Sequence, residues 1–138
     1  MVFFEGIEGV GKTSLCAALA GWRADTFSLF DRGPWSRWVY ARHFGYSSGV
    51  AQTESLVQRI RPYAIAVHVH RPFEHVQGCR PSLARDAAEA QEALFEQAWR
   101  LLPPQHVLHL HNDGEQVEQV AAALRERLSA LVPPAAHD

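Results

Sequence analysis

An eight-residue run limits what this chain can fold into more than any other part of its sequence. Residues 6–13 read Gly-Ile-Glu-Gly-Val-Gly-Lys-Thr and satisfy the pattern G-x-x-x-x-G-K-[ST] at every position. The run follows the apolar residues 1–5, which predict a buried strand, and it leads into residues 12–22, whose apolar spacing predicts a helix. A glycine-rich turn between two elements is the alternative. The flanking strand and helix favour a phosphate-binding loop.

The chemistry of such a loop comes from its main chain and from two side chains. Glycines let the backbone wrap closely, so that several N–H groups converge on phosphate oxygens at the helix N-terminus. Lys12, the one lysine among thirteen basic residues, is expected to reach the β- and γ-phosphates of ATP. The Thr13 hydroxyl is expected to bind Mg²⁺. The predicted ATP-binding residues are Gly6, Ile7, Glu8, Gly9, Val10, Gly11, Lys12, Thr13 and Ser14.

The rest of the sequence alternates short apolar runs with segments of helical spacing. Parallel strands need crossover connections, so this alternation predicts an α/β fold: a three-layer sandwich around a mostly parallel sheet, as in P-loop NTPases. One domain is expected over residues 1–138. Ser82 is the predicted N-cap of the fourth helix. The predicted strands are residues 1–5, 26–30, 63–69 and 106–110, and the predicted helices are residues 12–22, 35–44, 52–60, 83–102 and 114–131.

Composition indicates which classes of partner the chain can be expected to bind. A net charge of -2 gives no overall basic surface for duplex nucleic acid. The chain contains no run of eighteen or more apolar residues, so we expect no membrane partner. Cys16 and Cys79 are too few for a disulfide framework. We therefore expect a cytoplasmic protein whose partner is a small-molecule nucleotide, and a homodimer stays open.

Asp31 and Arg32 end the second predicted strand, where the carboxyl edge of the sheet should face a bound nucleotide. A carboxylate at this place can hold Mg²⁺ or accept the proton of an attacking oxygen. A neighbouring arginine can clamp a phosphate through two hydrogen bonds. A surface turn with an ion pair would use the same residue types. The phosphate loop upstream favours the functional interpretation.

The phosphate loop and the Asp-Arg pair together resemble those of the thymidylate kinases. Residues 3–13, F-F-E-G-I-E-G-V-G-K-T, are similar to that family's loop, which typically reads FxEGxEGxGKT. Residues 30–32, followed by Ser36 and Tyr40, are similar to its Asp-Arg strand end and the helix behind it. The likeness continues to the last strand and helix at residues 106–131. The resemblance implies a P-loop nucleotide kinase that transfers a phosphoryl group from ATP to a (deoxy)nucleoside monophosphate.

The resemblance also implies roles for single residues around the acceptor. Glu8 would lie near the sugar and the acceptor phosphate, and Arg32 would clamp that phosphate. Asp31 would hold Mg²⁺ or the substrate. Ser36 and Tyr40 would line the nucleoside pocket.

A mobile lid is the second implication of the resemblance. Family members with glycine at the position of Gly9 take their catalytic arginine from the lid. Residues 71–81 show no periodicity and predict a loop, within a lid at about residues 70–86. An arginine that arrives with the substrate can stabilise charge on the transferred phosphoryl group, although solvated surface arginines are the alternative. The predicted catalytic residues are Lys12, Asp31, Arg71 and Arg80.

The sequence departs from the family on the acceptor side. It lacks the strand and helices that thymidylate kinases insert before the Asp-Arg strand, and Ala41 replaces a residue that is commonly polar there. The acceptor site is therefore reduced or open, and a nucleoside, or a base or end in nucleic acid, could enter it instead. Trp35, Arg37 and Trp38 could stack on such a base, or the tryptophans could pack in the core.

Two other classes of function share a phosphate loop. A GTPase is disfavoured because guanine recognition uses an Asn-Lys-x-Asp pattern, and Lys12 is the only lysine. A nucleotide-binding regulatory module without transfer activity stays open, because the acceptor region is short.

Four histidines lie in pairs on the last two predicted strands. His68 and His70, like His109 and His111, are two residues apart, so each pair projects to one face of the sheet. They could bind a metal, but no acidic or cysteine residue shares their spacing, which favours strand-end residues near the nucleotide. Residues 112–113 are expected to border the adenine.

Overall fold

Strands and helices alternate along the chain. The computed structural model describes residues 1–113 and 116–133. Over these residues there are four β-strands and six α-helices, with short 3₁₀ turns at Arg61–Tyr63, Trp99–Leu101 and Pro104–His106. The elements are β1 (Val2–Glu5), α1 (Lys12–Ala18), β2 (Leu29–Asp31), α2 (Pro34–Phe44), α3 (Ser47–Ile60), β3 (Ile65–His70), α4 (Phe73–Cys79), α5 (Arg85–Ala98), β4 (Val107–His111) and α6 (Val117–Leu131).

The four strands form one sheet in the order β2-β1-β3-β4, and every neighbouring pair is parallel. The expected α/β class and parallel sheet are therefore confirmed. The chain leaves β1 to form β2 on one side and then crosses back to form β3 on the other. In open parallel sheets such a reversal creates a crevice at the carboxyl ends of the strands. The loop of residues 6–13, which is expected to bind phosphate, directly follows β1 and lies at this point.

The two faces of the sheet are covered by different helices. Phe3 packs its ring against Trp35 of α2, with ring centroids 5.2 Å apart, and Glu5 bonds to Ser36 of the same helix. Side chains alternate along a strand, so Val2 and Phe4 point to the opposite face. Helix α2 contacts both α3 and α5, while α1 packs with α6. This arrangement is compatible with a three-layer sandwich.

Several predicted boundaries are wrong, and a hydrogen-bonded turn explains the first of them. The second strand begins at Leu29 instead of residue 26, because the N–H groups of Thr26 and Phe27 both bond to the Arg23 carbonyl in a turn. The preceding helix ends at Ala18 instead of residue 22.

The segment before α5 also differs from the expectation. Ser82 is not the N-cap, because the helix begins at Arg85 after the extended residue Ala84 and has no side-chain cap. The unstructured loop expected at residues 71–81 instead contains the short helix α4, whose Val76 is fully buried. The predicted start of the last helix at Gly114 lies outside the described residues, and the described part of α6 starts at Val117.

No helix among the described residues combines the length and the apolar character that crossing a membrane requires.

Candidate active site

The loop between β1 and α1 depends on glycine at two close approaches of the backbone. Gly6 has a φ of +142°, and a Cβ there would lie 2.7 Å from the Val69 carbonyl oxygen. Gly11 has a φ of +97°, and a Cβ there would lie 2.7 Å from Asn112 Nδ2. L-residues rarely adopt these φ angles, and the space is already filled. The glycine positions of the motif are therefore explained by the fold itself.

The start of α1 supplies free donors to the site. Gly11 is the N-cap and has no side chain, and no side chain caps the helix. The N–H groups of Lys12, Thr13 and Ser14 belong to the first turn, so they have no partner within the helix. The helix N-terminus also carries partial positive charge. Such an end is suited to binding phosphate oxygens.

Lys12 folds over the loop that precedes it. Its side chain is buried, and Nζ donates to the carbonyl oxygens of Gly6 and Ile7, each at 2.7 Å. Burial, and to a smaller extent the Arg32 guanidinium, lower the Lys12 pKa from 10.5 to about 8, against nearby carboxylates that raise it. An anion in this site would stabilise the charged ammonium group.

Thr13 and Asp31 come together across the crevice. The Thr13 hydroxyl donates to Asp31 Oδ2 at 2.7 Å, and both side chains are exposed to solvent. A hydroxyl and a carboxylate are oxygen donors of the kind that Mg²⁺ prefers, and their separation suits neighbouring positions around one ion. The predicted Mg²⁺ residues therefore fit that ion.

Three arginines surround the mouth of the loop. Arg32 Nη2 lies 3.1 Å from Glu8 Oε1, and Arg80 Nε lies 3.5 Å from Glu8 Oε2. Arg71 Nη1 donates to the Gly9 carbonyl oxygen at 3.2 Å. The two pairs with Glu8 are exposed, so their contribution to stability is small. These contacts hold the three guanidinium groups in place over the start of α1.

Helix α4 explains how two of these arginines reach the loop. A Cβ on Gly9 would lie 3.3 Å from Val76 Cγ1, so α4 rests directly on the loop. Arg71 precedes α4 and Arg80 follows it. Both ends of the short helix therefore present an arginine to the same cavity.

The resulting cavity has a volume of about 270 Å³. Three of the residues predicted to bind ATP are buried and do not line the cavity: Gly6, Ile7 and Val10. The cavity is lined by Glu8, Gly9, Gly11, Lys12, Thr13, Ser14, Arg32, Arg71, Cys79 and Arg80.

A second cavity of about 320 Å³ adjoins the first and shares Glu8 and Arg32 with it. Tyr40 lines this cavity, as expected of an acceptor pocket. Its hydroxyl is buried and has no hydrogen-bond partner among the described residues, and burial raises the Tyr40 pKa. An unpaired buried hydroxyl is available to a ligand. The other lining residues are Phe44, Leu83 and Gln91.

Ser36 does not reach the acceptor cavity. It is buried, and its hydroxyl donates to Glu5 Oε1 at 2.8 Å. Glu5 also accepts the N–H groups of Gly33 and Ser36, each at 2.7 Å. A carboxylate of β1 thus holds the first turn of α2. The sequence pattern did not predict this contact. Burial raises the Glu5 pKa, against these hydrogen bonds, which lower it.

Arg32 has an uncommon backbone conformation. Its φ is +77°, in the left-handed region, and its N–H bonds to the Phe4 carbonyl oxygen at 3.0 Å. A non-glycine residue held in this region costs about 1–2 kcal/mol. Such strained residues are concentrated at functional sites, which agrees with the position of Arg32 between the two cavities.

The tryptophans behind the Asp-Arg pair belong to the core. Trp35 and Trp38 are buried, and Trp38 Nε1 donates to Glu54 Oε1 at 3.0 Å. Arg37 is exposed and lines neither cavity. Of the two interpretations of this cluster, core packing is correct for the tryptophans.

Asn112 lies against the phosphate loop. Its Nδ2 donates to the Val10 carbonyl oxygen at 2.9 Å, and its backbone N–H donates to the His70 carbonyl oxygen at 2.7 Å. Asn112 therefore ties β3 and β4 to the loop. Its expected place beside the adenine stays a prediction.

A larger cavity of about 440 Å³ lies at the opposite ends of the strands. Met1, Phe27, Tyr63 and His106 are among its lining residues. It contains no residue of the phosphate loop, so the chemistry above does not extend to it.

No protein-family model, no curated protein and no solved structure matches the chain in comparison with known proteins.

Proposed function

We propose that this chain is a P-loop nucleotide kinase that transfers the γ-phosphoryl group of ATP to a nucleotide, with a (deoxy)nucleoside monophosphate as the acceptor. One observation carries the proposal: the phosphate-loop cavity and the Tyr40 cavity adjoin and share Glu8 and Arg32. A donor phosphate in the first and an acceptor in the second would meet at Arg32. The resemblance of residues 3–13 and 30–32 to thymidylate kinases supports the same assignment.

In this proposal the chain acts by positioning and electrostatics, as in other phosphoryl transfers. An oxygen of the acceptor phosphate attacks the γ-phosphorus, and the bond from that phosphorus to the oxygen bridging to ADP breaks. Lys12 and the N–H groups of the first turn of α1 hold the β- and γ-phosphates. Mg²⁺, held by Thr13 and Asp31, would neutralise phosphate charge.

The arginines have a defined task in this scheme. Glu8 now holds Arg32 and Arg80 at the boundary between the cavities. A bound acceptor phosphate would replace Glu8 as a partner of Arg32, since two charge-assisted hydrogen bonds to phosphate are strong. Arg71 and Arg80 would then stabilise charge on the transferred phosphoryl group.

A direct test combines MgATP with a panel of deoxynucleosides, their monophosphates and oligonucleotides, while ADP and labelled product are measured. We expect turnover with at least one monophosphate, and a loss of at least about 100-fold in Lys12→Ala. Arg37→Ala is the matched control, because Arg37 is an exposed cation of α2 outside both cavities. It should retain wild-type turnover.

The alternatives separate in the same experiment. Turnover only with nucleosides or only with oligonucleotides would show that the acceptor belongs to that class and is not a monophosphate. If MgATP binds and stabilises the protein but no acceptor is phosphorylated, the chain is a nucleotide-binding regulatory module. If calorimetry detects no binding of MgATP, the kinase proposal is wrong.

A further inference from the structure

A second group of chemically active side chains lies on the α5 face of the sheet, outside both cavities. His68, His70, Glu96 and His109 each offer a ligand atom, and these four atoms lie within 4.8 Å of one another. We propose that this cluster is a site for a divalent transition-metal ion of the Zn²⁺ type, with His70, His109 and Glu96 as the ligands. The site is separate from the Mg²⁺ position at Thr13 and does not depend on the kinase proposal.

Strand register brings the histidines together. His68 pairs with His109 in the parallel ladder between β3 and β4, so the two side chains project to the same face. His70 lies two residues beyond His68 and shares that face. Helix α5 crosses this face, and Glu92 and Glu96 lie four residues apart, on one side of the helix. Three elements therefore contribute donors to one place.

Donor distances suit one shared ion. His70 Nε2 and His109 Nδ1 lie 2.9 Å apart. Two nitrogens bound to one Zn²⁺ at angles between about 90° and the tetrahedral value lie roughly 2.9–3.4 Å apart, given bonds of about 2.0–2.1 Å. In this arrangement an ion would replace the proton that one imidazole now shares with the other. The Glu96 carboxylate completes a set of two imidazoles and one carboxylate, which suits transition metals better than Mg²⁺ or Ca²⁺.

Glu92 provides the supporting contact that bound histidines usually have. Its Oε2 lies 3.4 Å from His70 Nδ1, the ring nitrogen not assigned to the ion. A carboxylate on the second nitrogen orients the ring and makes the first nitrogen a better ligand. Glu92 is thus a positioning residue, and Glu96, whose Oε1 lies 3.5 Å from His68 Nδ1, is the carboxylate ligand of the proposal.

His68 lies beside the proposed ligands, on the buried side of the cluster. Its side chain is fully buried, and Nδ1 accepts the Trp99 indole N–H at 2.9 Å. Since the Nδ1 lone pair is occupied, we do not assign His68 as a ligand of the ion. Its role in the proposal is to pack against the ligands. Its Nε2 has no hydrogen-bond partner among the described residues, although Glu92 Oε2 lies 3.4 Å away. A small rotation of Glu92 would satisfy both histidines.

An ion can reach the cluster from solvent. The Glu96 side chain is 56% exposed. Glu96 and His109 line an open cavity of about 540 Å³ at the β4 edge of the sheet. A predicted metal site needs such an entry path.

The test adds Zn²⁺ alone to the metal-free full chain, without nucleotide or Mg²⁺. Calorimetry should give one ion per chain, and a hundredfold excess over Kd should raise Tm by roughly 8 °C. Both His70→Ala and His109→Ala should weaken binding at least tenfold. His75→Ala is the matched control, because His75 is an exposed histidine on α4 away from the cluster. It should bind as the wild type does.

Two further variants keep the test decisive. Glu92→Gln should lower the affinity about 10- to 100-fold, as expected for a residue that orients a ligand. Glu96→Gln alters a largely exposed side chain, so it should fold even if a histidine variant does not, and it must also weaken binding. Cys79→Ser should bind normally. Unchanged binding in Glu96→Gln, or loss of binding in Cys79→Ser or His75→Ala, overturns the proposal.

Discussion

Deprotonation of Lys12 should weaken nucleotide binding at alkaline pH. Burial, with a contribution from Arg32, lowers the Lys12 pKa from 10.5 to about 8 in the ligand-free protein. Bound phosphates would raise that pKa again, because nearby negative charge favours the ammonium form. Above pH 8 the protein must therefore take up a proton to bind MgATP. Affinity is expected to be nearly constant below pH 7 and to fall as the pH rises through 8.

The size of the effect follows from the same pKa. With a value of about 8, roughly 90% of Lys12 is charged at pH 7 and roughly 10% at pH 9. The Kd for MgATP should therefore rise about tenfold over this interval, which corresponds to about 1.4 kcal/mol. At pH 9 about 0.9 proton should be taken up for each nucleotide bound.

Titration calorimetry at pH 7, 8 and 9, in buffers of different ionisation enthalpy, measures both quantities. Cys79 lines the same cavity, so the experiment is best done in a Cys79→Ser background, which leaves no thiol in the cavity. Lys12→Met is the control, since it should bind weakly at every pH. A Kd that stays constant from pH 7 to 9, or an equal pH slope in Lys12→Met, would refute the assignment.

Three other substitutions test separate parts of the site. Asp31→Asn should retain MgATP binding but reduce turnover by about 100-fold or more, and unchanged turnover would remove Asp31 from the mechanism. Arg32→Gly should unfold at a Tm about 3–4 °C above Arg32→Ala, because glycine releases about 1 kcal/mol of left-handed strain, while both variants lose turnover; equal Tm values would contradict the strain. Gly11→Ala should be destabilised by about 1 kcal/mol more than Gly45→Ala in urea denaturation, since a Cβ meets Asn112 at the first site and open space at the second; equal losses would contradict the close approach.

Sequence alone predicted the features that depend on residues close together in the chain. The phosphate loop occupies eight consecutive residues, and its strand and helix follow from apolar spacing on either side. The parallel sheet followed from the same alternation, because parallel strands require crossovers. Asp31 and Arg32 were placed correctly at a strand end, although the strand itself starts three residues later than predicted.

Features that depend on distant contacts were missed. Residues 71–81 lack helical periodicity, and α4 forms there with Val76 buried against Gly9. The spacing of the histidines along the chain does not indicate Glu92 or Glu96 as their partners. Glu92 and Glu96 reach them only because α5 packs across β3, and nothing in the local sequence encodes that crossing.

The position of β1 in the sheet has a consequence for the order in which the molecule assembles. Its partners on one side, Leu29–Asp31, follow closely in the chain, but Glu5 pairs on the other side with His68. Closing such a long loop is slow compared with local pairing. During synthesis the first strand stays half-paired until residues 65–70 have left the ribosome. Because Gly6 packs against Val69, the loop of residues 6–13 can acquire its shape only at that later stage.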